Sequence, residues 1–184
     1  MAYGDRPKSI EEGDASEMLF SQIMLKRGWS LVLASMQDQF NHIDFYLNKE
    51  GIEITVDVKS KKRLSAHDSG FMSGWLWVEF AGHGGGKGWL YGDQTHIAFH
   101  LEGGFLVVSR ESLSSFCESR VDLDSPTWEW ATEPKEAKYK VYRRWSANGG
   151  QSLEKSALIK VEHIKKHLAH KFISVGADGL IEGK

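Results

Sequence analysis

Two aspartates and a lysine stand at a spacing suited to metal-assisted hydrolysis. Asp44 lies within Asn41-His42-Ile43-Asp44-Phe45-Tyr46-Leu47, and Asp57-Val58-Lys59 begins thirteen residues after Asp44. Hard divalent ions such as Mg2+ or Mn2+ take carboxylate oxygens, waters and phosphate oxygens as ligands. A bound ion generates hydroxide and neutralises the charge that builds up on a phosphodiester under attack. A neighbouring ammonium, here Lys59, orients the attacking water or stabilises that charge. The expectation is phosphodiester hydrolysis, with Asp44 and Asp57 as metal ligands.

The elements that must position these groups read as a β-hairpin. Both runs alternate apolar and polar residues with the period of two that half-buried strands require, and Asn48-Lys49-Glu50-Gly51 has the composition of a turn. Pairing Leu47 with Ile52 sets Asp44 opposite Thr55 and His42 opposite Asp57, in strands over about 41–47 and 52–59. Ile43, Phe45, Leu47, Ile52, Ile54, Val56 and Val58 then share one face; His42, Asp44, Tyr46, Glu53, Thr55, Asp57 and Lys59 share the other. Asp44 and Asp57 would lie diagonally across the strands, roughly 7–8 Å apart at the backbone, and His42 beside them could orient a carboxylate or water. The alternative is a solvated polar face of surface charges. Upstream, Asp14-Ala15-Ser16-Glu17 opens an apolar-periodic segment ending near Gly28, which predicts a helix. Glu17 there is either a third acid of the site or the capping-box partner of Asp14, and the two roles are compatible.

A helical Glu17, a strand bearing Asp44 and a strand bearing Asp57-Val58-Lys59 resemble the PD-(D/E)xK nuclease superfamily, with spacings similar to those of archaeal-type Holliday junction resolvases. Ile43 stands where the motif's name has Pro. The resemblance spans about residues 14–63. It implies a restriction-endonuclease-like core, a mixed β-sheet flanked by helices, and Mg2+- or Mn2+-dependent cleavage of DNA. By the same resemblance Glu17, Asp44 and Asp57 are metal ligands, the Val58 carbonyl completes the shell, Lys59 is the catalytic lysine, and cleavage leaves a 5′-phosphate. A resolvase acting on branched DNA would further require a homodimer. Trp77-Val78-Glu79-Phe80, Gly88-Trp89-Leu90-Tyr91-Gly92 and Ile97-Ala98-Phe99 are similar to segments of bacteriophage-encoded nucleases. The rival reading is a nucleic-acid-binding or phage assembly protein that keeps the fold without turnover.

Length and composition are those of a globular chain able to form one sizeable core, and one domain over residues 1–184 is the default, with elaborations from about 110 onward. A single cysteine, Cys117, excludes an internal disulfide, and there is no long apolar run or signal pattern; the expected location is the cytoplasm of a bacterial cell or phage-infected host, with no membrane partner. A net charge of −2 excludes DNA binding by a large overall positive excess, so distribution matters more than the sum. Lys61, Lys62 and Arg63 form a basic run just beyond the candidate site. His83 and Lys87, in the glycine-rich Gly82–Gly88 segment, are further candidates for contact with a DNA backbone. That segment lacks P-loop spacing, because Ala81 and Gly88 replace the first Gly and the hydroxyl residue, and it reads as a mobile turn.

Further strands are predicted at Trp29–Leu33, Trp75–Phe80, about 95–100 and 104–109, Tyr139–Trp145 and Ala157–Val161. Helices are predicted at Arg110–Ser119 and from Val161 to about His170. Trp75 with Trp77, and Trp128 with Trp130, share strand faces; packing is their commoner use, stacking on bases the alternative. Glu79 is either an extra ligand or a surface acid. His163 and His167 have the spacing of a metal pair without an acidic or cysteine partner, and belong instead to a basic helix.

Overall fold

A computed structural model describes residues 5–65, 68–82, 84–124, 126, 129–145 and 151–175. In chain order the main elements are α1 (Asp5–Lys26), β1 (Ser30–Leu33), α2 (Met36–Phe40), β2 (Phe45–Lys49), β3 (Ile52–Lys59), β4 (Trp75–Ala81), β5 (His96–Leu101), β6 (Gly104–Ser109), α3 (Arg110–Glu118), β7 (Tyr142–Trp145), β8 (Gln151–Lys160), α4 (Val161–His167) and β9 (His170–Ser174). No helix among the described residues is long and apolar enough to cross a membrane. The chain divides into two compact units: Ala2–Lys61 with Asp93–Arg110 and Ala169–Lys184, and Lys62–Gly92 with Glu111–Leu168.

The first unit is a mixed α/β layer. Its six strands run in the order β1-β2-β3-β5-β6-β9, with β3 and β5 parallel and every other pair antiparallel. Leu19, Phe20, Ile23 and Met24 recur at helical spacing, and α1 buries Phe20, Ile23 and Met24 with Phe45, Leu47, Val56, Val58, Ala98, Phe105 and Ile173. Phe20 meets the Phe105 ring edge-on at 5.2 Å. The helix stops at Gly28 (φ 80°), where Gly28 N–H donates to the Leu25 carbonyl and Trp29 N–H to the Met24 carbonyl, a left-handed C-terminal cap that glycine adopts at least cost.

The hairpin forms in a register two residues away from the expected one. Lys49 pairs with Ile52, Leu47 with Ile54 and Phe45 with Val56. The connection is the two-residue turn Glu50-Gly51, with φ of 54° and 82°; this left-handed pair matches the twist of the flanking strands. A shift of two preserves the faces, so Phe45, Leu47, Val56 and Val58 face α1. The residues before Phe45 do not continue the strand: Asn41 and His42 form a turn after α2, with His42 at φ 64°, so His42 is not paired opposite Asp57.

The second unit carries the antiparallel sheet β4-β8-β7. Ala131, Ala137 and Leu158 form its small core, and Trp75, Trp77 and Tyr142 pack against them. The packing use of Trp75 and Trp77 thus holds, and Arg143 stacks over the Trp130 ring; Trp128 lies outside the described residues. Helix α3 buries Leu113, Phe116 and Cys117. The helix α4 ends at His167, short of the expected His170, because His170 enters β9 and pairs with Val108 in the first unit's sheet.

Candidate acidic site on adjacent strands

Asp57 lies in β3, flanked by β2 and β5, and is 2% exposed. Residues two apart on a strand share a face, and Lys59 Nζ accordingly sits 2.7 Å from Asp57 Oδ1. Asp44 stands where the β2–β3 ladder ends. Its N–H donates to the Val56 carbonyl at 2.9 Å, and its Oδ2 accepts the Val58 N–H at 2.7 Å, replacing the next ladder bond with a side-chain one. The charge of Asp57 is close enough to push the Asp44 carboxyl up, second only to burial.

Glu17 belongs to the same electrostatic cluster. Helix α1 begins at Asp5, so Asp14 and Glu17 are interior helical residues and the capping box expected between them is not made. Burial first, then the charges of Asp44, Asp14 and Asp57, push the Glu17 carboxyl from 4.5 up to about 7, against the lowering pull of Lys59. Asp44 rises from 3.8 to about 6, first through burial and then through Asp57; the Val58 hydrogen bond and Lys59 oppose the shift. The cluster is therefore short of positive charge.

The donor set fits a hard divalent cation. Glu17, Asp44, Asp57 and the Val58 carbonyl are all oxygen donors. Among the described residues no group of three or more acidic, histidine or cysteine side chains stands arranged to hold a metal ion by itself. Mg2+ is commonly held by one or two carboxylates together with waters and substrate phosphate oxygens, so two aspartates, with Glu17 in support, are an adequate set. Such an ion would offset the burial penalty and the mutual repulsion that together raise Glu17 and Asp44.

Two parts of the site carry little sequence signal. The Ser16 hydroxyl donates to the Glu12 carbonyl at 2.9 Å, so its contact of 2.9 Å with His100 Nδ1 must be accepted from the ring N–H. The His100 ring stacks on Phe105 at 4.6 Å, and burial, then Lys61, hold its pKa down at about 4, leaving it neutral at pH 7. Ser16 precedes Glu17, so this bond holds α1 in place beside the acids. The second part is the segment between β1 and β2, where Ser35 caps α2 by accepting the Asp38 N–H and donating to Asp38 Oδ2 at 2.6 Å. The Ser-x-x-Asp pattern was its only signal.

The basic candidates are divided. Lys61 follows β3 in the first unit; Lys62, Arg63 and Lys87 belong to the second. The Lys62 carbonyl accepts the Met72 N–H, and the Arg63 guanidinium lies 4.4 Å from the Phe71 ring centre. Lys87 is exposed in a turn where the Gly82, Gly85 and Gly88 N–H groups donate to the Gly86, Gly82 and Phe80 carbonyls. His83 lies outside the described residues. Glu79 lies in β4 opposite Ser156, and His163 bonds Tyr139 Oη at 2.6 Å, both in the second unit. Comparison of the chain with protein-family models, with curated proteins and with solved structures yields no match.

Proposed function

We propose that this protein is a Mg2+- or Mn2+-dependent endodeoxyribonuclease of the restriction-endonuclease-like kind. The observation that carries the reading is the convergence of Asp44, Asp57 and Lys59 at the β2–β3 end with Glu17 of α1, all within one electrostatic field. In it Asp44, Asp57 and the Val58 carbonyl would hold the cation, Glu17 would be the third acid, and Lys59 would orient water or stabilise the charged phosphate. The bound ion supplies hydroxide and charge neutralisation. DNA is the proposed partner, with Lys61 nearest the acids in sequence and Lys62, Arg63 and Lys87 as further phosphate contacts. A homodimer would serve a branched substrate.

Supercoiled plasmid, linear duplex, single-stranded DNA and a four-way junction, each with Mg2+, Mn2+ or EDTA, test the proposal. Metal-dependent cutting lost in both Asp57→Ala and Lys59→Ala supports it. The direct Lys59–Asp57 ion pair favours a second reading, a nucleic-acid-binding or phage assembly protein without turnover, in which lysine permanently fills the cation's place. Mn2+ binding that is lost in Asp57→Ala decides against that reading; a wild type inert in every reaction but still shifting DNA in a gel decides for it.

A further inference from the structure

The segment joining β1 to β2 is a closed loop whose base is one of the proposed metal ligands. The Ala34 N–H donates to the Asp44 carbonyl at 2.9 Å, so residues 34–44 leave and return at the same point. Inside it the conformation is fixed: Ser35 caps α2, Asp38 bonds Tyr46, the Asp38 carbonyl accepts the Ile43 N–H at 3.0 Å, and the Asn41 carbonyl accepts the Asp93 N–H at 2.9 Å. Beside the exposed polar side chains Ser35, Gln37, Gln39 and Asn41, the loop displays two large apolar ones. Met36 is 76% and Phe40 74% exposed, and Val32 and Leu33 at its entry are also exposed. His42, near its exit, feels the charge of Lys59.

A well-ordered loop that shows solvent a large aromatic and a methionine beside a reactive site calls for an occupant. Its charge indicates which one. No lysine or arginine occurs from Trp29 to Leu47, and the single charged residue within the loop before Asp44 is Asp38. Such a loop offers no cation to a phosphate backbone, whereas an exposed aromatic and an unbranched apolar side chain suit the faces of nucleobases, by stacking or as a wedge between steps.

We propose that the loop 34–44 is a base-contacting element, with Phe40 stacking on, and Met36 packing beside, unpaired bases of the strand whose phosphate lies at Asp44 and Asp57. The inference rests on the nuclease reading and adds its substrate class: DNA with locally unstacked bases, such as gaps, flaps or junctions, in preference to perfect duplex. The wedge acts by capturing bases already free of partners, because separating paired bases costs a few kcal/mol per step.

The test compares cleavage, in Mn2+, of a perfect duplex and the same duplex carrying a single-stranded gap, by wild type, Phe40→Ala, Phe40→Trp, Met36→Ala/Phe40→Ala and Ile52→Ala, the last an exposed apolar residue on the hairpin turn away from the loop. The readout is the gap-to-duplex rate ratio. Wild type should favour the gap, Phe40→Ala should lower the ratio about tenfold, the double variant further, and Phe40→Trp and Ile52→Ala should keep it. In a Lys59→Ala background, 2-aminopurine placed in the gap should be quenched on binding with Phe40 present and not with Ala. A wild type that cuts, with an unchanged ratio in Phe40→Ala and the double variant, overturns the base-contact assignment while leaving the nuclease reading intact; that result also covers a loop reserved for a protein partner. Absence of metal-dependent cutting on any substrate overturns the nuclease reading and this inference with it.

Discussion

Replacing Glu17 with glutamine should stabilise the cation-free protein at alkaline pH. The folded-state pKa, about 7, lies above the ordinary value of 4.5, so the folded protein binds this proton more tightly than the unfolded chain does. Stability from that proton is fully present below 4.5 and is lost as pH rises through about 7. At pH 8.5 the wild type therefore carries the whole penalty and Glu17→Gln carries none. A shift of about 2.5 units converts to roughly 3.4 kcal/mol if taken whole. Glu17 is only half-buried, and solvent screening reduces this to about 1–2 kcal/mol. For a chain of this length that is a rise in Tm of roughly 2–8 °C. Thermal unfolding in EDTA at pH 8.5 and pH 5 gives the measurement: the variant should lead clearly at the higher pH and by much less at the lower. Millimolar Mn2+ should raise the wild type and narrow or reverse the gap. A Glu17→Gln variant no more stable than wild type at pH 8.5 in EDTA would refute the claim that burial and the neighbouring acids together penalise a charged Glu17.

The same linkage predicts that saturating Mn2+ raises wild-type stability by about 2.7 kcal/mol at a hundredfold excess over Kd, and that Asp57→Asn abolishes the gain in a thermal titration. Phe105→Ala should cost about 3–5 kcal/mol in urea unfolding, because Phe105 is fully buried against Phe20 and supports His100. Gly104→Ala should be among the most damaging single changes in expression and melting assays, since its added Cβ would collide with the Ile173 carbonyl of the paired strand β9. Cys117 is buried and its thiol is pushed up to about 12, chiefly by burial; a thiol reagent should label it only in denaturant, and rapid labelling of the native protein would contradict the packing of α3.

The hairpin was legible in its faces and not in its register. Alternation over Phe45–Leu47 and Ile52–Val58 fixes which side each residue takes, but pairing depends on whether the turn uses four residues or two. The left-handed conformation of Glu50, a residue that rarely adopts it, is invisible in composition. Apolar spacing marks the body of α1 but not its start, since residues 9–13 add helix without a buried side chain. The parallel β3–β5 contact and the late strand β9 are long-range pairings, and no local pattern reports them. The acids themselves were readable because strand period and motif spacing are local, whereas the Ser16–His100 bond unites residues eighty-four positions apart.

The route of the chain sets a timetable for the site. It leaves the six-stranded unit after Lys61, returns at Asp93, leaves again after Arg110 and returns at Ala169. Glu17, Asp44, Asp57 and Lys59 all emerge from the ribosome early, but β5, the strand that covers the open side of β3, arrives only after the first excursion, and β9 only after the second. Until Ser174 has been synthesised, β6 presents a bare apolar edge, a template for unwanted pairing. The four residues proposed to cut DNA are thus made before the sheet that positions them can be completed, and a chain released before β9 would carry the acids without the order needed to use them.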